Sequence, residues 1–321
     1  GLWSGGSATL TSFFTQSTNG NITGSFLELY NEDPNQSSSA ETQFAIGYAH
    51  VHGSGSKGNV SKLTTGGRQS AALYRQFRNV ILAPNTDEFT FTGHSGTSED
   101  FYFISFQRAR QREKIDPGNW ELQLSGQMAG KAAKIQLIDD SGATTNPTVE
   151  EGGRVFNVVS GSITNGIHTA AADEAAGNMG SYGLFYPDLG IILLNAPKVE
   201  ISGGLGVHDR AADQHISRSE AFFDSIVSGS SFTARREEEI SSTNYFVRVN
   251  NKNFNFSSNP TYTTASDGSL TQPTYFKDPK TFITQVGLYN DDNELLAIAK
   301  LSKPILKSYS REAIIKVKLD F

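Results

Sequence analysis

The sequence predicts an α+β fold that is predominantly antiparallel β with two isolated amphipathic helices. Three observations carry this. Short runs of aromatic and β-branched residues that alternate with period two recur along most of the 321 residues. Only two stretches have the 3.6-residue spacing of an amphipathic helix, and neither a regular βαβ order nor a fixed-period repeat links them. The composition, 37% hydrophobic and 19% charged with 31 glycines, is that of a β-rich chain with many turns.

Taken in order, residues 1–30 set apolar anchors (Leu2, Trp3, Phe13, Phe14, Ile22) among small polar ones, an arm that leads into a strand where Phe26, Glu28 and Tyr30 alternate with Leu27 and Leu29. Asp33-Pro34 and the serines after it mark a loop. A strand is expected over 43–52 and a flexible Gly/Ser linker over 53–58. The first helix is predicted over 68–82, with Ala72, Leu73, Phe77, Val80 and Ile81 as its apolar stripe, Arg68, Arg75 and Arg78 on other faces, and Pro84 as its stop. That arginine face fits a solvated surface better than a phosphate-binding one.

Strands follow at 88–92 and 100–106. In the second, Phe101 and Phe103 oppose Tyr102, Ile104 and Phe106, so both faces are apolar, as in a strand covered on two sides. Asp116-Pro117-Gly118-Asn119 predicts a type II turn, with strands at 120–124, 134–138 and 154–160 beyond it. A short Ala-rich helical piece is expected at 170–176. The strands 182–186 and 190–194 flank Pro187-Asp188 as a hairpin. The second helix is predicted over 210–227, with Ala212, Ile216, Ala221, Phe222, Phe223 and Ile226 as its stripe and Ser217, Arg218 and Glu220 opposite.

After a charge run at 235–239 come strands at 245–250 and 253–256, then a polar loop over 259–280 with three prolines, long enough to suggest a contact role. The last stretch, 281–321, predicts a hairpin through Asn290-Asp291-Asp292-Asn293, a break at Pro304 and a final strand. In that strand Ile315, Val317, Leu319 and Phe321 face the core while Ile314, Lys316, Lys318 and Asp320 face solvent. A terminus ending on a buried Phe is expected to be tied into the fold. The organisation expected is a β-rich body made of 1–124 and 179–321, with 125–178 as an inserted β region.

The absence of cysteine removes thiolate nucleophiles, Cys-ligated zinc and iron–sulfur clusters. A net charge of −6 argues against a general nucleic-acid binder, and no specific nucleic-acid partner is expected. No apolar run reaches the roughly 18–20 residues that span a bilayer, and the first residues lack the pattern of an ordinary export signal. His50 and His52 share a strand face without a third ligand in reach of sequence logic. His208, Asp209, Asp213 and His215 form no HExxH arrangement, and Asp209 suits a helix cap. Gly203-Gly204-Leu205-Gly206 lacks the Lys-Ser/Thr of a phosphate loop and is expected to lead into the second helix. Asp139-Asp140-Ser141-Gly142 and the Asn290 turn fall short of an EF-hand spacing and are explained by turn chemistry. No GxSxG elbow occurs. Catalytic, cofactor and metal residues are therefore assigned nowhere.

The phrase VGLYNDDNELLAIAKLSKPI, followed by an alternating strand ending in Phe, resembles the C-terminal part of tail and baseplate structural proteins of large contractile-tailed phages, in particular cyanophage-type myoviruses. YNEDPNQSSSAETQFAIGYAHVHGSGSKG, DPGNWELQLSG and GSYGLFYPDLGIILLN share that resemblance and spread it over nearly the whole chain. It implies a non-enzymatic virion protein of the tail or baseplate, assembled in the host cytoplasm. Its implied partners are other virion proteins and copies of itself, with no cofactor and no membrane. A capsid decoration or neck protein, and a tail protein that binds or depolymerises host surface glycan, are the alternatives.

Overall fold

The computed structural model describes residues 1–15, 26–51, 65–91, 97–128, 131–143, 148–167, 181–205, 215–256, 259–264 and 266–320. The chain divides into two compact units, Gly1–Glu238 and Glu239–Phe321. Strand makes up 48% and helix 18%, so the β-rich α+β class holds.

The first unit is built on one antiparallel sheet of β1 (Thr9–Leu10), β2 (Phe26–Tyr30), β3 (Thr42–His50), β4 (Asp100–Phe106), β5 (Lys114–Met128), β6 (Lys131–Asp139), β8 (Gly153–Ser162), β10 (Gly183–Tyr186), β11 (Ile191–Asn195) and β12 (Phe232–Glu237). Their spatial order is β1-β12-β5-β6-β8-β10-β11-β4-β3-β2, and β7 (Thr148–Glu150) and β9 (Gly166–Ile167) pair with β8 off this path. Among the described residues four helices join it: α1 (Thr65–Ile81), α2 (Arg108–Gln111), α3 (Ala196–Ser202) and α4 (His215–Gly229).

The sheet curls into a half-barrel. Phe232 of β12 lies 5.3 Å from Phe44 of β3 and 5.6 Å from Phe106 of β4, although these strands are far apart in the sheet order. Trp3 fills the gap, its ring 5.0 Å from Phe232 and 5.5 Å from Phe44, and its indole N–H donates to the Phe232 carbonyl at 2.9 Å. The N-terminal arm also joins the two sheet edges. Thr9 and Leu10 pair with Thr233 and Phe232, and a few residues on Phe14 exchanges both backbone bonds with Tyr30 of β2. An open sheet leaves two rows of unpaired backbone groups; this arm covers part of both.

One face of the sheet carries the larger core. Tyr102, Ile104 and Phe106 of β4, Ile192 and Leu194 of β11, and Phe44, Ile46 and Tyr48 of β3 meet α4 through Phe222 and Ile226. On the other face, Phe101, Phe103, Ile191 and Leu193 pack with Tyr74, Phe77 and Ile81 of α1. The apolar pattern on both sides of 100–106 and the continuous IILLN thus mark central strands, as their alternation predicts.

Several elements depart from expectation. The boundary at 124/125 falls inside β5, and that at 178/179 lies outside the described residues; β5, β6 and β8 are neighbours in one sheet, and the division into units lies at Glu238/Glu239 instead. Asp116-Pro117-Gly118-Asn119 does not reverse the chain. The register against β12 shifts across these residues, which bulge out of one long strand while Gly118 takes φ +80° and donates its N–H to Asp139 Oδ2 at 2.8 Å. The α1 stripe is Ala71, Tyr74, Phe77 and Ile81; Ala72 and Val80 are exposed, since the helix buries i, i+3, i+6 and i+10 rather than the residues beside them. Arg78 is spent locally, bonding the Thr86 and Pro84 carbonyls and Asp87 behind the helix end. Of 88–92, Phe89 forms a single bridge with Ser98. The hairpin around Pro187-Asp188 is present, and Asp188 is clamped by Arg154 Nη2 at 2.8 Å and Nε at 3.2 Å; that bonding holds its carboxyl below the usual range. The expected linker at 53–58 and the Ala-rich piece at 170–176 lie outside the described residues.

The second unit consists of two two-stranded antiparallel sheets. β13 (Ser242–Val249) pairs with β16 (Ala313–Asp320), and β14 (Thr281–Tyr289) pairs with β15 (Leu295–Lys307). The terminal hairpin is therefore as predicted, with Asn290 Oδ1 accepting from the Asp292 and Glu294 N–H groups in its turn. Pro304 does not end the strand. β15 runs through it, and the register against β14 slips between Ile283 and Gln285, so Pro304 sits at a bulge where no ladder N–H is needed. In β16 the alternation holds: Ala313, Ile315 and Val317 are buried, and Ile314, Lys316 and Lys318 are exposed. Phe321 lies outside the described residues. Residues 253–256 form no strand; Phe254 has φ +55°. Within 259–280 two short 3-10 turns form, Pro260–Tyr262 and Pro273–Phe276, each begun by a proline whose missing N–H costs nothing there.

Candidate interaction surface

The sequence assigns Arg218 to the wet side of its helix, yet it is fully buried. It shares a face with Phe222 and Ile226 at i, i+4 and i+8, so α4 carries its guanidinium into the core with its apolar stripe. There Nη1 lies 2.6 Å from Tyr48 Oη, 3.2 Å from Asp100 Oδ2 and 3.6 Å from Glu200 Oε1. Tyr48 donates to Asp100 at 2.7 Å and Tyr102 donates to Glu200 at 3.0 Å. Both phenols are pushed far above their usual range, first by burial and then by the facing carboxylate, Asp100 for Tyr48 and Glu200 for Tyr102. The Arg218 guanidinium also stacks over the Tyr48 ring at 4.7 Å. This network joins α3, α4, β3 and β4 and fixes one arrangement of helices on the sheet. A cation held by two carboxylates with two neutral phenols offers neither a free base nor a nucleophile, so its chemistry is positional.

The other sequence candidates resolve as structure. His50 is buried beside Tyr48, with ring centroids 6.3 Å apart, and pairs across the ladder with Asp100; His52 lies outside the described residues. His208, Asp209 and Asp213 also lie outside them, as does the side chain of His215. Gly203 and Gly204 finish α3, and 206–214, between them and α4, lie outside the described residues. The Gly203 N–H bonds the Val199 carbonyl at 2.7 Å, and a Cβ on Gly204 would meet the Gly126 backbone at 2.5 Å. Asp139 and Asp140 spend their oxygens on the N–H groups of Ser141, Gly118 and Asn157. Among the described residues no group of three or more His, Asp or Glu is placed to hold a metal ion.

A cleft of about 570 Å³ opens behind the C-terminus of α1 and is lined by Ile81, Phe89, Val149 and Leu184 together with Glu88, Glu150 and Glu151. Tyr186 donates to Glu150 at 3.0 Å there, so that carboxylate is already engaged.

The second unit has the opposite character. Among its described residues the buried hydrophobics are Val249, Ala313, Ile315 and Val317, whereas thirteen large hydrophobic residues are exposed, with Phe246 and Ile314 at 69% and Phe276 at 83%. Phe246 and Ile314 lie on one face of the β13–β16 pair, where Lys316 approaches the Phe246 ring at 5.9 Å. Phe282, Tyr289, Leu295, Leu296 and Ile298 belong to the β14–β15 hairpin. In the 259–280 loop, Tyr262 and Tyr275 meet edge to face at 5.1 Å beside a cavity of about 290 Å³ lined also by Thr261, Thr271 and Gln272. Thirteen exposed large hydrophobics against four buried ones is the reverse of the balance in a packed core. The high aromatic content visible in the sequence signals either core or interface; only the burial of each ring separates the two.

No family model matches this chain, and neither a curated protein nor a solved structure matches it.

Proposed function

We propose that this chain is a structural subunit of a contractile-tailed phage virion, in the baseplate or another tail-associated position. It works through contacts with other virion proteins and copies of itself rather than by catalysis. The observation that carries the assembly reading is the second unit, which among its described residues exposes thirteen large hydrophobic residues and buries four. Two-stranded sheets are at best marginally stable alone in water, so such a unit gains its core from what it touches. The tail position is supported by the resemblance of residues 286–305 and the strand beyond them to tail and baseplate proteins.

Quantitative mass spectrometry of purified virions, with imaging of the labelled chain on intact particles, tests this. The expected result is a tail or baseplate label at a copy number matching tail symmetry. A label confined to the capsid, or capsid-like copy numbers, overturns the tail position in favour of a decoration or neck protein.

A second reading has one observation in its favour. Paired Tyr262 and Tyr275 rings beside Thr261, Thr271 and Gln272 suit the apolar face and hydroxyls of a sugar, so host-glycan binding remains a defined alternative for the 259–280 loop. Binding of the purified chain to host surface glycans that is lost in Tyr262→Ala supports it, and no binding removes it.

A further inference from the structure

The four strands of the second unit differ in how their edges are guarded. β13 carries Arg248, β15 carries Lys300, Lys303 and Pro304, and β16 carries Lys316 and Lys318; lysine and proline are the residues that discourage edge pairing. β14, Thr281–Tyr289, has nine residues, no charge and no proline. Both register slips of its hairpin place the extra residues on β15, which leaves the β14 backbone regular. Among the described residues β14 pairs on one side only, with β15. A regular, uncharged, half-exposed edge offers its backbone N–H and C=O groups to an added strand.

We propose that β14 pairs with β14 of a second copy of this chain, antiparallel about a two-fold axis, joining two hairpins into a four-stranded sheet. Full overlap of the nine residues centres the pairing on Gln285, which then faces Gln285 of the partner subunit. Phe282 falls opposite Leu288 of the partner subunit, and Thr284 opposite Val286 of the partner subunit. No like charges meet in this register, because the strand has none. The equivalent self-pairing of β16 would bring Lys316 and Lys318 close to their own copies. An edge blank in charge is thus self-complementary where its neighbours are not, and a two-fold contact requires self-complementarity. Phe282 and Tyr289 of β14 are 63% and 62% exposed, so large apolar side chains flank the edge that the second copy meets.

This inference deepens the assembly reading by naming one contact, and its test uses purified chain alone, so it stands or falls separately from the virion measurements. Gln285 is exposed and its replacement removes no packing. In size-exclusion chromatography with light scattering at micromolar concentration, the unaltered chain is expected to run as a dimer. Gln285→Lys is expected to run as a monomer with an unchanged circular dichroism spectrum, because it sets two ammonium groups face to face. An equimolar mixture of Gln285→Lys and Gln285→Glu is expected to recover the dimer. Since the chain has no cysteine, Gln285→Cys is expected to give a covalent dimer on mild oxidation. A monomeric unaltered chain, a Gln285→Lys variant that stays dimeric, or a Gln285→Cys variant that does not cross-link overturns the proposal.

Discussion

Gly1–Glu238 puts most of its described aromatic residues inside, with Trp3, Phe44, Phe106 and Phe232 in mutual contact across a curled sheet, while Glu239–Phe321 leaves Phe246, Phe254, Phe256, Phe276 and Phe282 in solvent. The two regions differ in topology more than in composition. A sheet curled upon itself and packed with helices on both faces encloses volume, whereas a two-stranded ribbon has two faces and almost no interior. The same residue types therefore stabilise the first unit from within, whereas among the described residues of the second most of them lie exposed.

The sharpest way to break that comparison is at Arg218. Arg218→Ala leaves Asp100 and Glu200 buried without their cation and is expected to cost about 3–5 kcal/mol in urea unfolding. A loss below about 1 kcal/mol would show that the network is not what holds α4 to the sheet.

A second test uses alkali. Burial pushes Tyr74 up to about 12 and raises Tyr48, Tyr102 and Tyr186 further still. Groups whose folded pKa is raised contribute fully below the unfolded phenol value near 10, and their contribution is lost as pH rises toward the folded value. Stability of the first unit is therefore expected to decline from about pH 10 upward, with phenolate absorbance at 295 nm rising in step with unfolding. Ionisation of all tyrosines ahead of unfolding would refute the buried assignment.

The smallest effect belongs to the second unit. Phe276→Ser is expected to change the stability of the purified chain by less than about 0.5 kcal/mol, as for an exposed site. A loss of 2 kcal/mol or more in dilute solution would mean that this ring is covered in the isolated chain.

Much of the fold is legible in the sequence. Residues 100–106 and 191–195 read as central strands because both of their faces are apolar, and 281–320 reads as a hairpin with a half-wet final strand because its alternation is clean. The burial of Arg218 is not legible although the spacing to Phe222 and Ile226 is in the sequence, since a charged residue belongs in water unless it has partners. Those partners, Asp100 and Glu200, are 118 and 18 residues away, and no local pattern links them.

What the sequence by itself determined is the local grammar: period-two alternation, two helical stretches, turn residues at Asp116–Asn119, Pro187-Asp188 and Asn290, and the lack of any cysteine chemistry. Even there, turn chemistry set the backbone geometry of Gly118 without setting its use, since a bulge and a reversal need the same positive φ. Only the tertiary structure decided that β5, β6 and β8 belong to one sheet, that the N-terminal arm joins its two edges, and that most of the described aromatic residues of the second unit are left exposed. Those outcomes depend on which distant strands pair and how far the sheet curls, and pairing energy between distant segments leaves no periodic trace in either one alone.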